Sequence, residues 1–191
     1  MPPLSRRGFT RALLALPLAA PLGAFPAAPS RGIVGQPAPE PAADFWIDAH
    51  GRPTAFSLAA QRGKWVHLKF WQSWCPGCHT QGFPTLKKFI DAFANEPRVV
   101  NVAVQTVFEG YGANSADKVR ATQQRYRLPI VMGHASGEGR PGGLPEIMRR
   151  YRSGGTPWHV LVSPAGSVEL DGFFIDAATA IADIRASLDR G

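Results

Sequence analysis

The chain has 191 residues, of which 45% are hydrophobic and 18% are charged, which is the composition of one globular domain with its own core and excludes a disordered chain. Its formal net charge of +7 falls to +4 beyond residue 30, because residues 1–30 contain three arginines and no acidic residue. Such a mild excess, with no basic stripe, gives no reason to expect nucleic-acid binding.

Residues 1–28 have the pattern of an export signal. Ser5 to Thr10 match the twin-arginine sequence S-R-R-x-F, and an Ala- and Leu-rich stretch follows. Prolines interrupt this stretch, which is too short and too weakly apolar for a stable membrane span. We therefore predict a periplasmic protein exported by the twin-arginine route. An ordinary Sec signal and an uncleaved leader that anchors the protein to the membrane are the alternatives.

Residues 29–42 are dense in proline and alanine, which predicts a tether without fixed structure, and the folded domain is expected over residues 43–191. The domain begins with two partly alternating segments, 43–48 and 53–56, on either side of a turn that contains Gly51. This pattern predicts a small N-terminal β-hairpin.

An apolar strand is predicted to lead into the two cysteines, which are the only ones in the sequence. Residues 65–71 are rich in β-branched and aromatic side chains, and Cys75 follows after a short turn. A helix is expected from Cys75 to about Ala94, with a kink at Pro84 because proline lacks the backbone N–H that a helix needs.

The rest of the chain alternates strands with helices. The predicted strands are 99–107, 128–132, 158–163 and 168–174, and the predicted helices are 115–126 (capped by Asn114 or Ser115), 144–151 and 177–188. The glycine-rich segment 133–143 is expected to be a mobile loop. This order of elements predicts an α/β fold in which helices flank both faces of a mixed sheet.

The Cys75-x-x-Cys78 spacing at the start of a helix is typical of a dithiol redox site. Unpaired backbone N–H groups and the positive end of the helix dipole both stabilise a thiolate on the first sulfur. The second sulfur, one turn along, can then resolve a mixed disulfide. We therefore predict that Cys75 is the nucleophile and Cys78 the resolving residue.

Other interpretations use the same residues, and the motif alone leaves them open. Cys75-x-x-Cys78-His79 also has the spacing of a c-type haem attachment site, and a purely structural disulfide or two inert thiols would need no chemistry at all. A copper metallochaperone would need one more residue between the cysteines, although His79, His134 or His159 could join the sulfurs. A zinc site would need two further ligands.

The residues around the motif resemble the extracytoplasmic thioredoxin-like thiol–disulfide oxidoreductases of the TlpA/ResA type. The resemblance covers roughly residues 40–190, and its matching segments are 45–51, 56–58, 63–78, Gly155-Thr156-Pro157 and the turn 163–166. It implies a thioredoxin fold with an inserted strand–helix unit and a cis peptide before Pro157. We expect a monomer that acts on protein thiols and disulfides and, because dithiol exchange needs no cofactor or metal, is reset by a redox partner.

The resemblance further implies a surface on which a partner protein docks. Trp74 and Pro76 would flank the nucleophile, and Pro157 would bring the Thr156 backbone against the sulfurs. Thr156 could then pair with an extended substrate segment as an added strand would. We therefore predict that Trp74, Pro76, Thr156 and Pro157 bind the substrate.

Two departures from the family pattern concern the direction of the reaction. Six residues before the first cysteine, where related proteins carry Asp or Asn, this chain has Lys69. A lysine beneath the sulfurs would favour the thiolate, and the alternative is a side chain that reaches out to solvent. The carboxylate that reductases of the family place after the second cysteine is also missing, since Gln81 and Gly82 occupy that region. We nevertheless expect a reductase.

A peroxiredoxin-like antioxidant enzyme is the sharpest enzymatic alternative, because that fold shares the early strands. Such an enzyme would need proline and threonine seven and three residues before its reactive cysteine. This chain has Leu68 and Gln72 at those positions, which counts against peroxidase chemistry.

Overall fold

The computed structural model describes residues 31–190, and within this range seven strands form one sheet. The strands are β1 Phe45–Ile47, β2 Pro53–Thr54, β3 Trp65–Trp71, β4 Val99–Val107, β5 Val131–Ser136, β6 Trp158–Val162 and β7 Val168–Gly172. The α-helices are α1 Phe83–Ala92, α2 Asp117–Tyr126, α3 Glu146–Arg150 and α4 Ala177–Asp189. A π-helical turn, Cys78–Gly82, precedes α1. No helix in this range is long and apolar enough to cross a membrane.

The sheet is mixed and has β3 near its centre, in the order β2-β1-β5-β4-β3-β6-β7. β3 pairs in parallel with β4 and antiparallel with β6, and β1 forms the expected antiparallel hairpin with β2. β4 and β5 are also parallel. The elements between β4 and β6 in the chain are α2, β5 and α3, and they include the predicted inserted strand and helix. The predicted α/β fold is therefore confirmed.

Helices cover both faces of the sheet because successive side chains of β3 point to opposite sides. Val66, Leu68 and Phe70 belong to a core cluster that includes Ile147 and Tyr151 around α3. On the other side, Trp71 packs with apolar side chains of α1 and α2, and Trp65 packs with those of α1 and α4. The strand that leads to the cysteines is thus enclosed on both faces, which fixes the position of its end.

The predicted tether is wrong for residues 31–42, which pack on the domain. Ile33 is buried in the core, and a bridge joins Pro37 to Ser167 beside β7. The Tyr151 hydroxyl donates a hydrogen bond to the Pro39 carbonyl oxygen, and the Glu40 carboxylate accepts two backbone N–H groups. Hydrogen bonds to specific partners therefore fix this proline-rich segment. Composition alone could not predict these bonds. The predicted leader, 1–28, lies outside the described residues.

A π-helical turn directly precedes Pro84, where the sequence predicts a kink. The Phe83 N–H donates to the Cys78 carbonyl oxygen five residues back, and Pro84 follows in the first turn of α1. The wider turn changes the hydrogen-bond pattern directly before the proline, which has no N–H of its own to donate. The chain from the cysteines into α1 is consequently one continuous helical segment.

The predicted mobile loop over 133–143 is wrong for its first four residues, which are part of β5. β5 pairs with β4 on one side and with β1 on the other. Gly133 is required by this packing, since a Cβ there would lie 2.7 Å from the Trp46 ring. The glycine therefore marks a close approach of two strands and not a flexible segment.

Three basic side chains are buried on the α1 side of the central strands. Lys69 and His67 lie on β3, His159 lies opposite Lys69 on β6, and all three are almost completely inaccessible to solvent. His67 Nε2 is 3.0 Å from His159 Nδ1, but no group among residues 31–190 forms a hydrogen bond with the Lys69 amine. Burial lowers the pKa of Lys69 from 10.5 to about 7 and that of His67 to about 3.

We predict that the substitution Lys69→Met increases the free energy of unfolding of the oxidised protein. The difference between 10.5 and about 7 corresponds to a cost of roughly 5 kcal/mol when the amine is protonated in both states. The unfolded chain keeps the proton up to a higher pH than the folded chain does, so this cost is largest below pH 7 and decreases as the pH rises toward 10.5. Urea unfolding at pH 6 and pH 9 measures the change.

The control for this prediction is Lys88→Met, which removes an exposed lysine of α1. Its unfolding free energy should stay within about 0.5 kcal/mol of the unsubstituted protein at both pH values. A Lys69→Met protein that is less stable than the unsubstituted protein at pH 6 would contradict the assigned cost of burying the amine.

Candidate active site

The two cysteines lie where β3 has ended and the following helix begins. Cys75 directly precedes the first helical residue, Pro76, and forms a disulfide with Cys78 across a Cα–Cα distance of 5.3 Å. The Cys78 N–H points at Cys75 Sγ, 3.1 Å away. Cys75 is 6% exposed and Cys78 is completely buried. The two sulfurs therefore differ in access to solvent and in the hydrogen bond that one of them accepts.

The Thr156–Pro157 segment lies against this disulfide. The peptide bond before Pro157 is cis, as the resemblance implies, and the Thr156 carbonyl oxygen is 3.5 Å from Cys75 Sγ. Pro157 packs so closely on the helix that a Cβ would lie 3.3 Å from it at Gly77 and 3.1 Å from it at Gly82. The structure thus brings together the cysteines and the two residues that the sequence placed far from them in the chain.

Trp74 and Pro76, the other predicted docking residues, are exposed beside Cys75. The Trp74 side chain is 48% exposed, which is unusual for tryptophan in a folded domain. Beside it an open groove of about 530 Å³ runs along α2, and Lys118 and Arg125 are among its lining residues. An aromatic surface and a basic groove therefore adjoin the disulfide.

Ser73, two residues before Cys75, is held by all three of its polar groups. Its N–H donates to Asn114 Oδ1 at 2.6 Å, its carbonyl oxygen accepts from His79 Nε2 at 2.6 Å, and its Oγ accepts from Gln105 Nε2 at 2.8 Å. These partners come from the segment before α2, the helix after the cysteines, and β4. The loop that presents Cys75 is therefore fixed from three directions.

Two of the residues that hold Ser73, Gln105 and Asn114, have roles that were not predicted from the sequence. Gln105 was detectable as a polar residue in a mostly apolar strand, β4, where it is completely buried. Asn114 was expected to cap the helix at 115–126, but no side chain caps α2, and the Asn114 amide instead bonds Ser73 and the Glu109 and Gly110 carbonyl oxygens.

His79 uses both ring nitrogens to hold the site together. Nε2 contacts a carbonyl oxygen and must carry a proton, so in the neutral ring Nδ1 accepts from the Tyr126 hydroxyl at 2.6 Å. Neither nitrogen is available as a haem or copper ligand in this arrangement. His134 bonds Gln105 and His159 bonds His67, and within residues 31–190 no three His, Cys, Asp or Glu side chains form a group that could hold a metal.

The alternative in which Lys69 reaches out to solvent is wrong. Its amine lies under the helix that carries the cysteines, because a Cβ at Gly82 would collide with Lys69 Nζ. The amine is also 5.5 Å from the centre of the Phe83 ring. Because Gly82 has no side chain, the lysine amine can occupy the space where a Cβ would otherwise lie.

The positions that a peroxiredoxin would use before its reactive cysteine serve the fold here. Leu68 is completely buried in the core of the sheet. The Gln72 side-chain amide donates to the Thr106 carbonyl oxygen at 3.0 Å. Neither residue presents a hydroxyl or a proline ring to Cys75.

A comparison with protein families and solved structures agrees with this geometry. The model of the AhpC/TSA family matches residues 34–171. The thioredoxin-like superfamily protein SPOA0173 is 30% identical, with a TM-score of 0.70 over 78% of this chain and 94% of that chain. No curated protein sequence matches the chain.

Two more distant structures have the same fold. A thiol-disulfide isomerase from Corynebacterium glutamicum is 22% identical, with a TM-score of 0.65 over 78% of this chain and 95% of that one. A thiol:disulfide interchange protein of the thioredoxin family from Chlorobium tepidum TLS is 19% identical, with a TM-score of 0.54 over 84% and 99%. Since the family model spans most of the chain and the Cys75–Cys78 disulfide lies at the start of a helix, the chain belongs to the AhpC/TSA family and is a TlpA/ResA-like redoxin of the thiol–disulfide oxidoreductase type.

Proposed function

We propose that the protein is exported to the periplasm and there reduces disulfides of envelope proteins through Cys75 and Cys78. The difference between the two sulfurs carries this proposal. Cys75 precedes the first helical residue, accepts the Cys78 N–H and lies beside the Thr156 backbone, whereas Cys78 is completely buried. A sulfur in the first position is stabilised as a thiolate, and one in the second can react only with its neighbour.

The reaction proceeds by two exchanges of one disulfide bond. The Cys75 thiolate attacks a sulfur of the partner disulfide, and the other partner sulfur leaves with the bonding electron pair. The Cys78 thiolate then attacks Cys75 Sγ, the bond between Cys75 and the partner breaks, and the partner leaves as a dithiol that has gained two electrons. The protein is left with the Cys75–Cys78 disulfide, so a reducing partner dithiol must reset it.

The surface around Cys75 suits an extended segment of a partner protein. The Thr156 backbone lies next to the reactive sulfur and could pair with such a segment as a neighbouring strand would. Trp74 and Pro76 offer exposed apolar surface on the other side of the sulfur. This arrangement supports protein disulfides as substrates in preference to the disulfides of small molecules, which would not use this docking surface.

The state of Lys69 supports the reducing direction. A permanent cation beneath the sulfurs would stabilise the reduced thiolate and would make the disulfide a stronger oxidant. Burial lowers the pKa of Lys69 to about 7, so the amine is largely uncharged above neutral pH. Because the amine can lose its proton in the disulfide state, that state does not carry the full cost of a buried cation, which favours a lower reduction potential than a permanent charge would give.

We predict opposite outcomes for the two cysteine variants. Cys75→Ser should show no disulfide reduction, because it lacks the nucleophile, whereas Cys78→Ser should accumulate a covalent adduct with a peptide disulfide, because nothing resolves it. Each variant lacks the internal disulfide, so each is the control for the other. Mass spectrometry without reductant detects the adduct, and full activity in both variants would refute the assignment.

We predict a reduction potential nearer to about −270 mV, the value of thioredoxin, than to about −120 mV, the value of the strong oxidant DsbA. Equilibration of the purified protein in dithiothreitol redox buffers, followed by alkylation of the remaining thiols, measures it. A value above about −180 mV would place the protein among the oxidants and isomerases and would overturn the reducing direction.

The two arginines of the predicted twin-arginine signal are Arg6 and Arg7, and we predict that changing both to lysine retains the protein in the cytoplasm. Arg11→Lys, which changes the third arginine of the leader outside the motif, is the matched control and should leave export intact. Cell fractionation followed by immunoblotting measures the distribution. Unchanged export of the double variant would favour a Sec signal instead.

A further inference from the structure

One face of α2 is basic and borders the loop that presents the reactive cysteine. Over residues 117–127 the chain has four basic residues and one acidic residue. Two of the basic residues, Lys118 and Arg125, line the groove of about 530 Å³ that Trp74 also lines. They are exposed and lie two helical turns apart, so they project from the same side of α2. Their separation along the helix axis is about 10 Å.

The domain supplies no negative partner for these two cations. Among residues 31–190 no carboxylate forms a salt bridge with Lys118 or Arg125. Asp117, which precedes Lys118, does not line the groove, and its carboxylate accepts a hydrogen bond from the Ser115 hydroxyl. The Arg125 guanidinium lies 5.4 Å from the centre of the Tyr126 ring, which supports it at the helix surface. The groove therefore presents two positive charges that are available to a ligand.

The surface between the two cations is shallow and can accept a length of extended chain. The residues that α2 and the turn before it contribute there have short side chains, namely Gly112, Ala113, Ala121 and Thr122. An extended chain advances about 3.3 Å per residue, so the distance between the cations corresponds to three residues of such a chain. Two carboxylates at that spacing could each reach one cation.

The groove is continuous with the redox site. Trp74, which directly precedes Cys75, lines it. His79, which follows the second cysteine, lines it as well and donates a hydrogen bond to the Ser73 carbonyl oxygen. A partner segment that crosses Cys75 and continues past Trp74 therefore enters the basic groove.

We propose that this groove binds an acidic segment of the partner protein, with two carboxylates about three residues apart, next to the disulfide that is reduced. This inference rests on the proposed function, since it names the class of substrate on which the cysteine pair acts. Lys118 binds one carboxylate as a point charge, and Arg125 binds the other through two parallel N–H groups. The groove adds no covalent step. It holds the partner disulfide close to Cys75 and so increases the rate of attack.

The test uses synthetic peptides whose single cysteine carries a 2-thiopyridyl disulfide. The Cys75 thiolate of the reduced protein attacks the peptide sulfur, and pyridine-2-thione leaves with the bonding electron pair. Stopped-flow absorbance of the released thione gives the second-order rate constant. Acidic peptides carry two glutamates three residues apart, either before or after the cysteine, and matched peptides carry glutamines at the same positions. The ratio of the two rate constants measures the preference for an acidic segment and cancels any change in the reactivity of Cys75.

We expect a ratio of about 5 at low salt for at least one of the two acidic peptides, because two exposed ion pairs together contribute roughly that factor. The ratio should fall toward 1 in about 1 M salt, where the Debye length is about 3 Å. In the double variant Lys118→Gln/Arg125→Gln it should be close to 1 at every salt concentration. The matched control Arg120→Gln/Arg127→Gln removes the same charge from exposed residues that do not line the groove, and it should keep most of the preference.

Three results would overturn the acidic partner segment. They are a ratio near 1 for both acidic peptides, a preference that Lys118→Gln/Arg125→Gln retains, and a preference that this variant and the control lower equally. The 2-thiopyridyl disulfide of glutathione tests a small anion in place of a protein segment. If its rate depends on Lys118 and Arg125 as strongly as that of the acidic peptide, the groove takes small anionic thiols and the proposal is wrong.

The proposed function fails by a different result in the same experiment. If no peptide, acidic or neutral, reacts faster with the unsubstituted protein than with Cys75→Ser, Cys75 is not the nucleophile for peptide disulfides. A rapid reaction that requires Cys75 but shows no preference for glutamate would leave the proposed function intact and would overturn the role of the groove alone. The two failures are therefore distinguishable.

Discussion

The hydrogen bond from the Cys78 N–H to Cys75 Sγ makes the two sulfurs unequal, because the residue that donates it is also the one whose own sulfur is enclosed. A hydrogen bond to a charged sulfur is stronger than one to a neutral sulfur, so this contact favours the thiolate on Cys75. Pro76 supports it, since proline at the first helical position lacks only an N–H that would have had no partner. This backbone geometry supports the proposed order of attack, with Cys75 first and Cys78 second.

That geometry depends on the short loop between β3 and the helix, within which the Cys75 N–H donates to the Gln72 carbonyl oxygen at 3.3 Å. Asn114, His79 and Gln105 each form a hydrogen bond with a different polar group of Ser73. These bonds hold the chain after Trp71, where the backbone hydrogen bonds of β3 end. Because the three partners come from separate elements, the loop is fixed only in the assembled domain. The Cys75 sulfur can therefore be held in place while Trp74 beside it remains exposed to a partner.

The sequence was sufficient for features that local pattern determines. The order of strands and helices, the cysteine pair at the start of a helix and the Thr156–Pro157 segment follow from periodicity and motif spacing, with the family resemblance. Features that depend on distant contacts were not predictable. Residues 31–42 have the composition of a tether, yet partners more than 100 residues away fix Ile33 and Pro39. The enclosure of Lys69 likewise depends on Gly82 and on the neighbouring strands, and no propensity of lysine indicates it.

The buried lysine connects the stability of the domain with its chemistry. A charged amine without a partner is unfavourable in this core, and an apolar side chain of similar length would fill the same space without that cost. In the disulfide state no thiolate is present to compensate an ammonium, so burial lowers the pKa of Lys69 to about 7. The cost of burying this amine is therefore smaller at and above neutral pH than in acid, so the stability of the disulfide state depends on pH over this range.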